Sequence, residues 1–173
     1  MKASREILIL LITLVMGFSS SIASAEEPKK STDKWLLDAE NDTDRFKRLE
    51  TYLRGFDQPM WEVGHRFEAV YDAIIDKNYE LATYHWGKIK LTIENGYMKR
   101  PARKTNAELI FFQSGIWKSL DTALKEGDNK KIKSAFFDAR QRCMGCHIAE
   151  KVPFMNEQKI FRHTATFPES DGQ

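Results

Sequence analysis

Ile132, Phe136, Ala139, Cys143 and His147 recur at steps of three and four, the spacing that puts side chains on one face of an α-helix. That stripe ends inside Cys143-Met144-Gly145-Cys146-His147, the C-x-x-C-H arrangement to which a c-type haem is attached. The spacing has a physical reason. Two residues between the cysteines set the thiols about as far apart as two porphyrin vinyl groups, and the histidine that follows comes up under the iron as an axial ligand. Because Cys143 and His147 share a face with the core residues upstream, the haem is expected against the interior of the fold.

The same residues also read as a redox C-x-x-C pair, half of a zinc site or a disulfide. A thioredoxin-like pair wants a βαβ setting, and a zinc site wants two further ligands at ordered spacing. The sequence offers neither. Cys143 and Cys146 are the only cysteines of the chain, so one covalently bound haem c accounts for both.

Upstream, three more apolar stripes have helical period. Asp57 followed by Pro59 opens the first, with Met60, Val63, Phe67, Val70 and Ile74 inward as far as about Lys77. Asn78 turns the chain into a second helix, Tyr79 to Asn95, with Ala82, Trp86, Ile89 and Ile93 inward and Asn95-Gly96 as its stop. Thr105 and Glu108 form a capping box for a third, carrying Leu109, Phe112, Ile116, Leu120 and Leu124 up to Gly127. Asp128 then caps the fourth. No strand alternation or tandem repeat is visible, so the fold class is all-α: an antiparallel four-helix bundle with C-x-x-C-H on the last helix. A short amphipathic helix precedes it, with Phe46, Leu49, Leu53 and Phe56 at helical spacing. An irregular tail follows, with Phe154, Phe161 and Phe167 as potential anchors.

Residues 1–25 read as an export signal. Lys2 and Arg5 make the basic end, Ile7 to Val15 is apolar apart from Thr13, and Ala23-Ser24-Ala25 is an A-x-A cleavage site. In a bacterium the destination is the periplasm, and no stable membrane span is expected after cleavage. The remaining organisation is a polar leader over 26–43 with an apolar knot at Trp35-Leu36-Leu37, a helical haem-binding domain over 44–155, and the tail over 156–173. Cleavage leaves 25 basic and 24 acidic residues. Such balance gives no support to nucleic acid or to an acidic membrane surface as partner.

A C-x-x-C-H on the last helix of such a bundle resembles the class II c-type cytochromes, cytochrome c prime and its low-spin relatives, over roughly 59–152. Met60-Trp61-Glu62-Val63-Gly64-His65-Arg66-Phe67 and Ala149-Glu150-Lys151-Val152-Pro153-Phe154 are also similar to segments of small single-haem exported proteobacterial cytochromes. The long leader, the extra amphipathic segment and the tail depart from the cytochrome c prime pattern. The resemblance implies that the first bundle helix covers the distal side of the iron. A methionine there makes a six-coordinate electron carrier, whereas an apolar residue leaves the iron open to small gases.

Met60 lies on the stripe and offers a soft thioether, though core packing is the commoner fate of such a methionine. The resemblance implies, counting back from the turn at Asn78 as in that family, a distal position nearer Val63 or Gly64, with Phe67 closing the pocket. His65 has nearly the right depth but sits about 200° round the helix from Val63, off the stripe. His85 is read as a lining or core histidine, and Met155 and His163 in the tail as remote candidates. Arg100, Arg103, Lys104, Arg140 and Arg142 are available cations for haem propionates, and Lys151 shares a face with His147.

The reading is a periplasmic single-haem c-type cytochrome, an electron carrier between redox partner proteins and not an enzyme. The alternative is a five-coordinate protein that binds nitric oxide or carbon monoxide. Trp61 and Tyr84 either serve a homodimer face or are buried within the monomer.

Overall fold

The computed structural model describes residues 33–162 and 166–167. The expected signal segment 1–25, the start of the leader, His163 and the last tail residues lie outside them. The described residues are mostly helical, with no strand among them, and none of their helices is long and apolar enough to cross a membrane. The chain divides into two compact units, Met1–Phe46 and Lys47–Gln173.

In the first unit the Trp35-Leu36-Leu37 knot is a turn, with the Leu37 and Asp38 amides donating to the Lys34 carbonyl. Arg45 Nε donates to the Leu36 carbonyl at 3.1 Å. Trp35 and Leu37 are exposed. Helix α1, Asp42–Leu53, crosses the division between the units and starts where Asn41 Oδ1 accepts from the Asp44 amide. None of its residues is buried, and Phe46 and Leu53 are exposed. Periodicity locates an apolar stripe but does not supply a surface to cover it.

Four further helices make up most of the second unit: α2, Asp57–Ile75; α3, Tyr79–Lys99; α4, Ile116–Glu126; and α5, Asn129–Ala149. Pro59 falls in the first turn of α2, where its missing N–H costs nothing. Two residues past the end of α2, Lys77 adopts a left-handed backbone (φ 56°) while the Asn78 amide reaches back to the Ala73 carbonyl at 2.8 Å. Asn78 then caps α3 by accepting from the Leu81 amide. Asp128 caps α5, its Oδ1 accepting from the amides of Lys130 and Lys131.

Two expected boundaries are corrected. Helix α3 does not stop at Asn95-Gly96 but continues to Lys99, and Gly96 is buried within it. A side chain at Gly96 would start 2.8 Å from Phe56 Cε2 and 3.3 Å from Pro59 Cβ. This glycine therefore answers a close approach between α3 and the start of α2, not a helix end. The expected third helix is broken as well. Pro101–Arg103 is a 3₁₀ turn, Lys104–Asn106 a single α turn and Ala107–Phe112 a π-helix; Gly115 (φ 79°) then separates these from α4. No Thr105 capping box forms; Glu108 Oε1 instead accepts the Tyr97 hydroxyl at 3.1 Å. Leu109, counted as core, is exposed.

The core is rich in aromatics. Trp86 is fully buried and its indole N–H donates to the Trp117 carbonyl at 2.9 Å, while the Trp117 indole returns a longer bond to the Trp86 carbonyl. Phe67 stacks on Phe136 with centroids 4.6 Å apart and also meets Trp86 and Phe161. The described part of the tail forms 3₁₀ turns at Pro153–Glu157 and Lys159–Phe161, and Ile160, Phe161 and Phe167 are buried. Phe154, a supposed anchor, is exposed.

Gly96→Ala is expected to cost about 1–3 kcal/mol of stability through overpacking. That loss would outweigh the ~1 kcal/mol that alanine gains in helix propensity. Adding Phe56→Ala should remove most of the difference, which a double-mutant cycle from denaturant melts would measure.

Candidate functional site

Cys143, Cys146 and His147 stand in the last two turns of α5. Two residues past the end of α5, Lys151 takes a left-handed backbone (φ 62°), and the Val152 amide donates to the His147 carbonyl at 2.9 Å. This 6→1 closure turns the chain sharply, and Pro153 starts the 3₁₀ turn that comes back beside the helix end. Lys151 is thus an exposed turn residue.

The returning turn delivers Asn156 to His147. Its Oδ1 lies 2.7 Å from His147 Nδ1, and its Nδ2 donates to the Met144 carbonyl at 3.3 Å. The second bond fixes the amide so that oxygen faces the imidazole. Nδ1 must then carry the proton, which leaves the lone pair on Nε2. Burial pushes the His147 pKa down, against the opposing bond from Asn156, so the ring is held neutral.

Burial also dominates the thiols. Cys143 is pushed up to about 12, with Cys146 adding to the rise. Cys146 is raised by burial too, against the pull of the Arg103 guanidinium. Both are free thiols. A redox pair needs a lowered thiol pKa, so these surroundings are wrong for thioredoxin-like exchange. Among the described residues no three or more His, Cys, Asp or Glu side chains gather as a metal site, so the zinc reading lacks its other half.

The end of α5 is tied to the broken segment before α4. Glu150 pairs with Arg103, and its Oε1 accepts from Asn106 Nδ2 at 2.7 Å. Arg100 lies 3.9 Å from Glu50, Lys104 sits over the Tyr97 ring, and Arg140 is buried over the Phe137 ring and donates to the Arg162 carbonyl. Arg142 is exposed.

On α2 the proposed distal residues separate. Met60 and Val63 are half-buried against the core, and Phe67 is buried. Gly64 faces the tail: the Gln158 side-chain oxygen lies 3.8 Å from where a side chain would begin. Phe161 meets His147 edge-on at 5.3 Å and stacks with Phe67 at 6.1 Å. The tail therefore brings His147 into a contact chain with Phe67. His65 is not part of it; it is exposed, 3.9 Å from Glu68 and edge-on to the exposed Trp61 ring. Its offset from the stripe explains this. His85 is engaged by Arg66, whose Nη1 is 3.3 Å from its Nδ1, and Arg66 Nε donates to Glu62. Met98 is exposed and Met155 half-buried in the tail. Tyr84 is exposed.

Asn156, Gln158 and the placement of Phe161 are absent from the sequence reading. The available signal was Pro153 after a helix end, which marks a reversal that returns residues a few positions later to the helix terminus. Comparison with protein-family models, curated proteins and solved structures returns no match.

His147 and His85 both bind protons less readily in the fold than their ordinary value of 6.5, by burial first in each case and, for His85, Arg66 second. The unfolded chain then takes up protons first, so their contribution is present above that value and lost as pH falls through the lowered folded values. In a Cys143→Ala, Cys146→Ala chain the denaturant midpoint should drop between about pH 7 and pH 5, with His147→Gln flattening part of the slope and His85 supplying the rest.

Proposed function

We propose that this chain is an exported, single-haem c-type cytochrome that carries one electron at a time between redox proteins. In this reading Cys143 and Cys146 hold haem c by thioethers and His147 Nε2 is the proximal ligand. The observation that carries it is an imidazole at the end of C-x-x-C-H whose Nδ1 is already committed to Asn156. A metal-binding histidine almost always gives its other nitrogen to such a partner. The donor set therefore fits the group: two half-buried thiols on one helix end, and a neutral imidazole with Nε2 left to bind. Bound there, haem supplies an iron that cycles between ferric and ferrous.

The chain's own residues enclose and orient. Phe67, Phe136 and Phe161 exclude water on the α2 side of His147, and Arg103 with Glu150 and Asn106 fixes the helix end that bears both thiols. The finer architecture belongs to the same proposal: an antiparallel four-helix bundle of class II type, in which 101–126 replaces one regular helix. So do the periplasmic address, drawn from residues 1–25, and pairing through the exposed Trp61 and Tyr84.

One observation favours the second reading, a five-coordinate iron open to nitric oxide or carbon monoxide. The α2 residues met by the tail on its return from His147 are Gly64, Phe67 and, further along, Tyr71. Met60 lies two turns before Phe67, about 10 Å along the helix.

The test is the visible spectrum of the purified protein, oxidised, reduced and reduced under carbon monoxide. One haem per chain should survive acid–acetone extraction and be lost with Cys143→Ala plus Cys146→Ala; non-covalent haem in the wild type would sink the reading. Sharp split bands indifferent to carbon monoxide mark the electron carrier, and Met60→Ala then shifts them if Met60 is the sixth ligand. Broad bands that shift at once under the gas put the open-iron reading first.

A further inference from the structure

The tail makes a bond that neither the attachment motif nor the helical pattern requires. We infer that Asn156 is a positioning residue for the iron: by accepting the Nδ1 proton of His147 it selects Nε2 as the ligating nitrogen and makes the imidazole a stronger donor, favouring ferric iron. This rests on the haem reading above and adds a determinant of potential to it.

Three observations carry the inference. The bond is short, 2.7 Å, and the amide cannot flip without losing its bond to the Met144 carbonyl. The turn bearing Asn156 is held at its start, where Val152 closes on the His147 carbonyl. It is held again downstream, where Ile160 and Phe161 are buried and the Tyr71 hydroxyl donates to the Thr166 carbonyl at 2.7 Å. Asn156 is thus clamped from both sides, and its acceptor oxygen is presented by a fixed backbone. A hydrogen-bond acceptor on Nδ1 raises ligand basicity, and electron density pushed onto iron stabilises the higher oxidation state.

A residue that merely closed the helix end would affect stability, and any change in potential would not follow the acceptor strength of its replacement. The experiment is a spectroelectrochemical titration of the haem-loaded wild type, Asn156→Leu and Asn156→Asp, with haem content measured first as the pyridine haemochrome. Asn156→Leu removes the acceptor without adding charge; at the wild-type midpoint its ferrous-to-ferric ratio should rise about tenfold, ~59 mV for a one-electron couple. Asn156→Asp offers a stronger, anionic acceptor of nearly the same shape and should shift the ratio the other way. Opposite shifts in that order support the role. Two unresponsive variants, two shifts of one sign, or a shift with Asn156→Asp alone overturn it, the last because charge without the bond would suffice. Should Asn156→Leu fail to load haem, Asn156→Ser, whose hydroxyl falls short of Nδ1, replaces it with the same expected sign. A wild type without covalent haem overturns the cytochrome reading and this inference together, whereas a loaded wild type with insensitive variants overturns this inference alone.

Discussion

Burial of Phe67 is the contact on which the second unit most depends. Its ring touches α3 through Trp86, α5 through Phe136 and the tail through Phe161. Burying one such ring is worth about 1.5–3 kcal/mol, and each well-oriented aromatic neighbour adds roughly 0.5–1.5 kcal/mol. Few side chains can tie so many elements at one point. The arrangement also explains why the groove between α2 and α5 is filled by the chain's own tail: without Phe161 and Phe167 the apolar flanks of Phe67, Tyr71 and Phe136 would face water.

The helical elements were largely legible because each stripe had both a period and a stop. Asn78 and Asp128 cap as their side chains suggest, and the stripe from Ile132 to Ala139 is buried as its spacing requires. Gly96 was misread because a glycine after Asn looks the same to a sequence whether it ends a helix or admits a neighbouring ring. The π-helix at Ala107–Phe112 was invisible for another reason. One extra residue per turn shifts the apolar phase, so Leu109 turns outward and Phe111 inward, and a strict 3.6-residue period cannot describe both sides of the shift.

The candidate site was legible in its motif and illegible in its surroundings. Cys143, Cys146 and His147 are neighbours in sequence, so their proximity needed no tertiary information. Asn156 reaches His147 because Lys151 takes a left-handed conformation that lysine seldom adopts, and Pro153 signals a reversal without saying which residue comes back. Exposure of His65 was readable from its angular offset; the engagement of His85 by Arg66 was not, since it depends on how α2 and α3 face each other.

The tail's resting place also sets an order in time. Its groove is made of surfaces on α2 and α5 together, so there is nothing for Phe161 and Phe167 to dock against until those helices have met. The strap therefore cannot dock before α2 and α5 have met, whereas Cys143, half-buried against the core, stays partly open to solvent in the finished fold.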